Sequence, residues 1–241
     1  MRVSRVGYAA AKGTRHLARD QVVLAADGVV GDRRWCFVDV GARQVLRTVA
    51  HPGLVGLLLD EAGDDLVLEA PGRAALRAPA VLSGESVTCD YWGREVALEL
   101  VDGPFAEAGS AHLGRRVRLA RAPAGGVVYG GSVSLVGEGS LAALGDLDPA
   151  RVRANLVVEG GRAFAEDDWV GRDVAVGSAV LRFTTRTPRC AVLDLDPLTG
   201  ARGSGVLTAL TTLRGTPTLG VDGHVLRPGT VRPGDPVTVV G

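Results

Sequence analysis

A mainly β chain with few helices is predicted by three observations. Apolar runs are short, they are separated by Gly, Pro and Asp, and long helical apolar periods are scarce. Such runs are buried in sheets built from hairpins, giving two β-barrel-like or sandwich-like units with peripheral helices. The 34 glycines in 241 residues suit a chain that turns often.

The strand candidates, in order, are Gln21 to Leu24, Trp35 to Val38, Leu54 to Leu59, Leu66 to Glu69, Val87 to Asp90 and Val96 to Val101. Leu156 to Glu159, Val180 to Thr184, Ala191 to Leu195 and Val237 to Val240 follow. Three segments read as helices. Pro104 to Leu113 has a proline suited to the first turn and Gly114 to close it, Ser140 to Leu144 stops at Gly145, and Thr208 to Leu213 is the third. The Pro- and Gly-rich stretch Ala120 to Gly131 is the best boundary, dividing the chain into 1–120 and 121–241.

With 46% hydrophobic residues the chain can bury a proper core. Its 27 basic and 27 acidic side chains cancel, so no overall field draws it to nucleic acid or a membrane surface, and any anion site must be local. An odd count of three cysteines, without a C-x-x-C pair, fits a reducing compartment, so a cytoplasmic location is expected. The first residues have no signal-peptide pattern, and no apolar stretch approaches a membrane span.

The four histidines are scattered, with no metal-binding spacing, and neither G-x-S-x-G nor a phosphate-binding G-x-x-x-x-G-K-[ST] occurs. Cys190 stands apart because Arg186 and Arg189 precede it, where an apolar strand breaks at Pro188. A nearby cation favours the thiolate, the form that attacks or ligates metal. An isolated cysteine is more often a small buried hydrophobe, here opening the strand at Ala191, and Cys36 and Cys89 receive that reading. Two arginine clusters favour function at Cys190: Asp32-Arg33-Arg34, and Arg151-Val152-Arg153-Ala154-Asn155, whose alternate residues share a face if extended. Taken singly, these arginines read as solvated or paired with Asp32, Asp146 and Asp148. In Glu166-Asp167-Asp168-Trp169 the tryptophan anchors a loop and the carboxylates serve as caps, turn formers or arginine partners. Asp196-Pro197-Leu198-Thr199-Gly200 reads as a turn.

In order, these pieces resemble the MOSC family, named for the molybdenum-cofactor sulfurase C-terminal domain. The branch they resemble has a preceding MOSC N-terminal β-barrel domain and includes the mitochondrial amidoxime-reducing components. Tyr8 to Gly13 with Lys12, and Gly28-Val29-Val30-Gly31-Asp32-Arg33-Arg34-Trp35, are similar to the family's first segments. Arg151 to Val158, Ala165 to Trp169, Arg189-Cys190, Asp196 to Gly200 and Pro228 to Val237 are similar to the later ones. The resemblance implies a MOSC-type β-barrel domain behind a β-barrel-like N-terminal one, and a pterin-based molybdenum cofactor, molybdopterin, with Cys190 as metal ligand. It matches Lys12, Arg33, Arg153 and Asn155 to positions that hold the pterin and its phosphate; Gly13, Gly131, Ser132 and Arg189 complete the expected site. Relatives carry Asp-x-Ser where this chain has Tyr129-Gly130-Gly131-Ser132, Lys-Ser where it has Lys12-Gly13, and a serine where it has Pro188. Backbone N–H groups of Gly130, Gly131 and Ser132 are expected to replace some missing side-chain contacts.

The implied activity is a molybdoenzyme that reduces N-hydroxylated or N-oxide-type small molecules. Without an iron–sulfur cysteine set or a G-x-G-x-x-G fingerprint, it takes electrons from a separate iron–sulfur or flavin donor protein. Two alternatives stay open: a sulfur carrier holding a persulfide on Cys190, and a non-catalytic cofactor-binding module. Arg47 and Arg94 are further candidates for a substrate channel.

Overall fold

The strand Ala179–Pro188 shows why this sequence forms sheet: Ala179, Leu181 and Phe183 are buried while Val180 and Arg182 between them are partly exposed, the two-residue period of a half-buried strand. The computed structural model describes residues 1–240. Ala179–Pro188 lies inside an eight-stranded sheet ordered Val237–Val240, Asp173–Val176, Ala179–Pro188, Thr218–Arg227, Val133–Gly137, Leu156–Glu159, Arg2–Tyr8 and Leu17–Arg19. Its pairs are antiparallel except Val133–Gly137 with Leu156–Glu159, which are parallel. The crossover between those two carries the short helices Glu138–Ala142 and Pro149–Val152.

A closed barrel of Leu82–Tyr91, Arg94–Val101, Arg118–Arg121, Trp35–Asp39 and Gln44–Val45 forms the second unit. Its interior is filled by Cys36, Cys89, Tyr91, Leu98 and Ala120, all buried. Both cysteines are thus core residues, as their flanking sequence implied. A three-stranded sheet, Leu58–Ala62, Asp65–Glu69 and Leu76–Pro79, packs with the helix Phe105–Leu113 on an outer core that includes Phe37, Leu59, Leu66 and Phe105.

The mainly β class holds, and three helices fall close to their expected places, at Phe105–Leu113, Glu138–Ala142 and Val206–Arg214. Two expectations need correction. Leu54 to Leu59 is strand only from Leu58, because Pro52–Gly56 winds as a 3-10 turn opened by its proline. Ala191 to Leu195 is not a strand at all, since Ala191–Asp194 forms another 3-10 turn, packed against the helices Pro149–Val152 and Val206–Arg214.

The boundary at 120/121 falls inside the last barrel strand, Arg118–Arg121, and residues 1–120 contribute to two cores. Arg2–Tyr8 pairs with Leu156–Glu159, and Val22–Ala25 pairs with Gly229–Val231. Val3, Val6, Val22, Leu24 and Val29 accordingly belong to the core of the eight-stranded sheet. Among the described residues, no helix is long and apolar enough to cross a membrane.

Candidate functional site

Lys12 reaches the site because the chain leaving the first strand runs beside the start of the barrel. The amides of Arg33, Trp35 and Lys12 donate to the carbonyls of Ala9, Ala10 and Trp35 respectively, a short parallel ladder that sets Lys12 near Arg33. Gly13 then turns at φ +88°, where a Cβ would stand 2.9 Å from both Leu54 Cδ1 and Thr48 Oγ1.

Arg153 arrives by a different route from the one expected. The segment 151–155 is not extended: Arg151 lies in the last turn of the helix Pro149–Val152, and Arg153 closes it in the left-handed region at φ 59°. Both arginines still line one cleft, because the helix end and not strand alternation turns them toward it. Cys190 reaches the same cleft from the end of Ala179–Pro188. The register of that strand against Thr218–Arg227 slips twice near its end, between Phe183 and Thr185 and between Arg186 and Pro188. Such irregularities re-aim a chain at the edge of a site.

The resulting cleft has a volume of about 300 Å³ and lies between the barrel and the eight-stranded sheet. Six cationic residues line it, Lys12, Arg33, Arg47, Arg151, Arg153 and Arg189, against one lining carboxylate, Asp222. A protein with no net charge therefore holds a strongly positive site, the local arrangement that its balanced composition required. Cys190 is exposed into it, whereas Cys36 and Cys89 are buried.

Burial, then the charges of Arg33 and Arg153, push the Lys12 ammonium well below the usual lysine range, while Asp32 and Cys190 oppose the shift. Its nitrogen sits 5.2 Å from the ring centroid of Tyr91. Burial, aided by Arg33, lowers Arg153 to about 10, and its Nη2 is a buried donor with no partner. Arg33 is held by an ion pair to buried Asp32.

Asn155 lies behind the cleft, 2% exposed, and acts on its neighbours. Its Oδ1 accepts from the amide and hydroxyl of Ser134, both at 3.0 Å, and its Nδ2 donates to Asp32 at 3.1 Å. Arg189 lines the cleft, yet its Nε and Nη2 donate to the Leu219 carbonyl and its Nη1 to the Val152 carbonyl. Burial lowers its guanidinium to about 10.

Gly131 lines the cleft, and its amide is among the groups that favour the Asp222 carboxylate. Asp222 also accepts from Thr187 Oγ1 at 2.7 Å, and burial pushes its carboxyl up against the opposing effects of Thr187, Arg189 and Arg33. Ser132 faces a separate surface groove, and its buried Oγ has no partner.

Of the expected residues, Lys12, Gly13, Arg33, Gly131, Arg153, Arg189 and Cys190 meet in the cleft, while Asn155 stands behind it and Ser132 faces elsewhere. Arg47 lines the cleft, whereas Arg94 donates to the Val128 carbonyl at 2.8 Å and holds a loop. Sequence reasoning missed Trp92, Thr187 and Asp222 as cleft residues. One signal was available for Trp92: in Tyr91-Trp92-Gly93-Arg94 a bulky residue occupies a two-residue hairpin turn that ordinarily takes Asn, Asp or Gly.

The donor set suits an anionic, phosphate-bearing cofactor. Arg153 Nη2 is an unsatisfied buried donor, and a half-buried lysine, Lys12, and one exposed sulfur share its cleft. Among the described residues, no group of three or more His, Cys, Asp or Glu side chains is arranged to hold a metal, so a metal here would need ligands from a cofactor.

Residues 133–238 match the family model of the MOSC domain. Comparison with curated proteins gives no match. Among solved structures, the chain is similar to the YuaD protein from Bacillus subtilis at 13% identity, covering 98% of this chain and 92% of that one with a TM-score of 0.47. It is also similar to YiiM from Escherichia coli, at 12% identity over 100% of this chain and 70% of that one with a TM-score of 0.42. YiiM from Geobacillus stearothermophilus is similar at 17% identity over 46% and 55%, with a TM-score of 0.38.

Proposed function

From the premise that this chain carries a MOSC domain at residues 133–238, we propose that it binds a pterin-based molybdenum cofactor and reduces N-hydroxylated or N-oxide-type small molecules. The observation that carries this reading is the meeting of Cys190, the exposed cysteine, with Lys12, Arg33 and Arg153 in one cleft. Lys12 and Arg153 hold the cofactor phosphate, Arg33 adds a third donor from its ion pair with Asp32, and Cys190 supplies a thiolate ligand. The bound cofactor supplies two-electron oxygen-atom chemistry, so that an N-hydroxy compound, two electrons and two protons give the amine and water. The chain's own part is to orient: Asn155 fixes Asp32, Asp32 fixes Arg33, and Arg189 ties the Cys190 loop to the Leu219 and Val152 carbonyls. Electrons come from a separate donor protein.

The test is molybdenum analysis by mass spectrometry of protein purified from a host that makes the cofactor. Near-stoichiometric metal in wild type and its loss in Cys190→Ser is the expected result. Metal-free wild type, or equal metal in both, overturns the reading.

The accessibility of Cys190 beside two buried cysteines also favours a sulfur-carrier reading. Under it, incubation with a cysteine desulfurase leaves a reducible sulfur adduct on wild type, seen by intact mass, and none on Cys190→Ala.

A further inference from the structure

One wall of the cleft differs in kind from the rest. Arg47, Trp92 and Tyr129 come from three separate segments: the chain after Gln44–Val45, the turn between Leu82–Tyr91 and Arg94–Val101, and the connection from barrel to sheet. They meet as a row. The Arg47 guanidinium lies 4.4 Å from the Trp92 ring centroid, and the Trp92 and Tyr129 centroids are 5.3 Å apart with planes tilted by 47°. All three line the cleft, and among the described residues Trp92 and Tyr129 are its only aromatic lining.

The row is built at a cost. Trp92 holds φ 56°, a left-handed conformation that a bulky side chain rarely adopts, while Asn or Gly at that turn position would be free of strain. Despite the strain, both rings stay in water: Trp92 is 44% exposed and Tyr129 57%. Apolar burial is therefore not what the strained turn achieves. Among the described residues Arg47 has no carboxylate partner, so its charge rests on the Trp92 face. The supporting backbone is tied down, since Arg94 donates to the Val128 carbonyl beside Tyr129 and Arg202 donates to the Val49 carbonyl at 2.7 Å, two residues from Arg47.

We infer that the Arg47–Trp92–Tyr129 row is the substrate-selecting wall of the cleft and takes planar, π-conjugated substrates in preference to flexible or puckered ones. Resting on the proposed reductase function for its kinetic arm only, the inference names the substrate class of that same site. An offset or edge-to-face aromatic contact strengthens binding of a planar ring by about three- to tenfold beyond its area.

Two arms test it. In the first, protein without metal or electron donor is titrated with benzamide and with cyclohexanecarboxamide, which differ in ring planarity and carry the same polar group. Benzamide is expected to quench tryptophan emission and bind several-fold more tightly, the signal coming from Trp92 because Trp35 and Trp169 are buried. Trp92→Leu and Tyr129→Ala are expected to remove the difference, and Tyr129→Phe to keep it. In the second, the Michaelis constants of benzamidoxime and cyclohexanecarboxamidoxime are compared with reduced methyl viologen as donor. Wild type should favour the planar substrate about three- to tenfold in KM, and Tyr129→Ala should bring the ratio toward one.

Equal binding of the two amides to wild type, or an unchanged preference in well-folded Trp92→Leu and Tyr129→Ala, overturns the inference and leaves the row as a clamp between barrel and sheet. Selective benzamide binding with no reduction of either amidoxime supports the wall and counts against the reductase reading alone.

Discussion

Asn155 donates its side-chain amide to Asp32 at 3.1 Å, so a residue at the head of a strand in the eight-stranded sheet fixes the carboxylate that pairs with Arg33 at the entrance of the barrel. The same side chain accepts both donors of Ser134. One buried amide therefore joins the two units directly behind the cleft.

Asn155→Ala leaves Asp32 and the Ser134 amide short of partners in a buried setting. Each buried polar group left unpaired costs about 1–3 kcal/mol. The variant is expected to unfold at lower urea by a midpoint shift corresponding to about 2–4 kcal/mol in total, and to retain less molybdenum because Arg33 loses its fixed carboxylate. Equal stability to wild type would refute the role given to this amide.

Lys12 predicts a pH dependence of known sign. Its folded-state pKa lies well below the ordinary 10.5, so between these two values the unfolded chain binds the extra proton and stability rises with pH. Below that window the buried ammonium is a constant penalty. In the cofactor-free protein, denaturation midpoints should climb through that window, and Lys12→Met should flatten the climb and raise stability below it. Phosphate binding should run the other way, weakening as the pH rises and Lys12 loses its charge.

Gly131→Ala tests packing behind the site. A Cβ there would stand 2.4 Å from the Gly223 carbonyl oxygen and 2.6 Å from its amide nitrogen, both backbone atoms of a paired strand. Overpacking of this kind costs about 1–3 kcal/mol. Urea denaturation should show that loss, and a variant as stable as wild type would mean that the strands separate more readily than their pairing implies.

Arg189→Lys is expected to fail as a conservative change. The guanidinium reaches the Leu219 and Val152 carbonyls from three nitrogen atoms, and a single ammonium lacks that fork. Thermal denaturation should place both Arg189→Lys and Arg189→Met below wild type by about 1–3 kcal/mol, with hydrogen exchange faster at Cys190 and the turn after it. Full rescue by lysine would contradict this account.

The mainly β class was legible because apolar alternation and turn residues are local signals, and Leu156–Glu159 and Val237–Val240 were recoverable to the residue. Ala191 to Leu195 misled for a physical reason: it winds as a 3-10 turn whose Leu193 is buried in the core between the sheet and its covering helices, and a short apolar run does not tell such a turn from a strand. In the site, Lys12, Arg33, Arg153 and Cys190 were readable as charge and thiol in ordered motifs. Asp222 was not, because it sits unmarked within a long strand and gains meaning only from Thr187 and Gly131 across space. The curvature of 151–155 was also hidden, since a short helix ending in a left-handed arginine leaves no apolar period.

Strand Arg2–Tyr8 lies between Leu156–Glu159 and Leu17–Arg19 in the finished sheet. On a ribosome its longer partner emerges roughly 150 residues later, on the order of ten seconds at ordinary rates of synthesis. The barrel can close during that interval, while the first strand waits with Val3 and Val6 uncovered. Birth order and spatial order are thus inverted: a strand made before the barrel meets its longer partner only after the barrel's last strand has been made, and the cleft that needs Lys12 waits longer still, for Cys190.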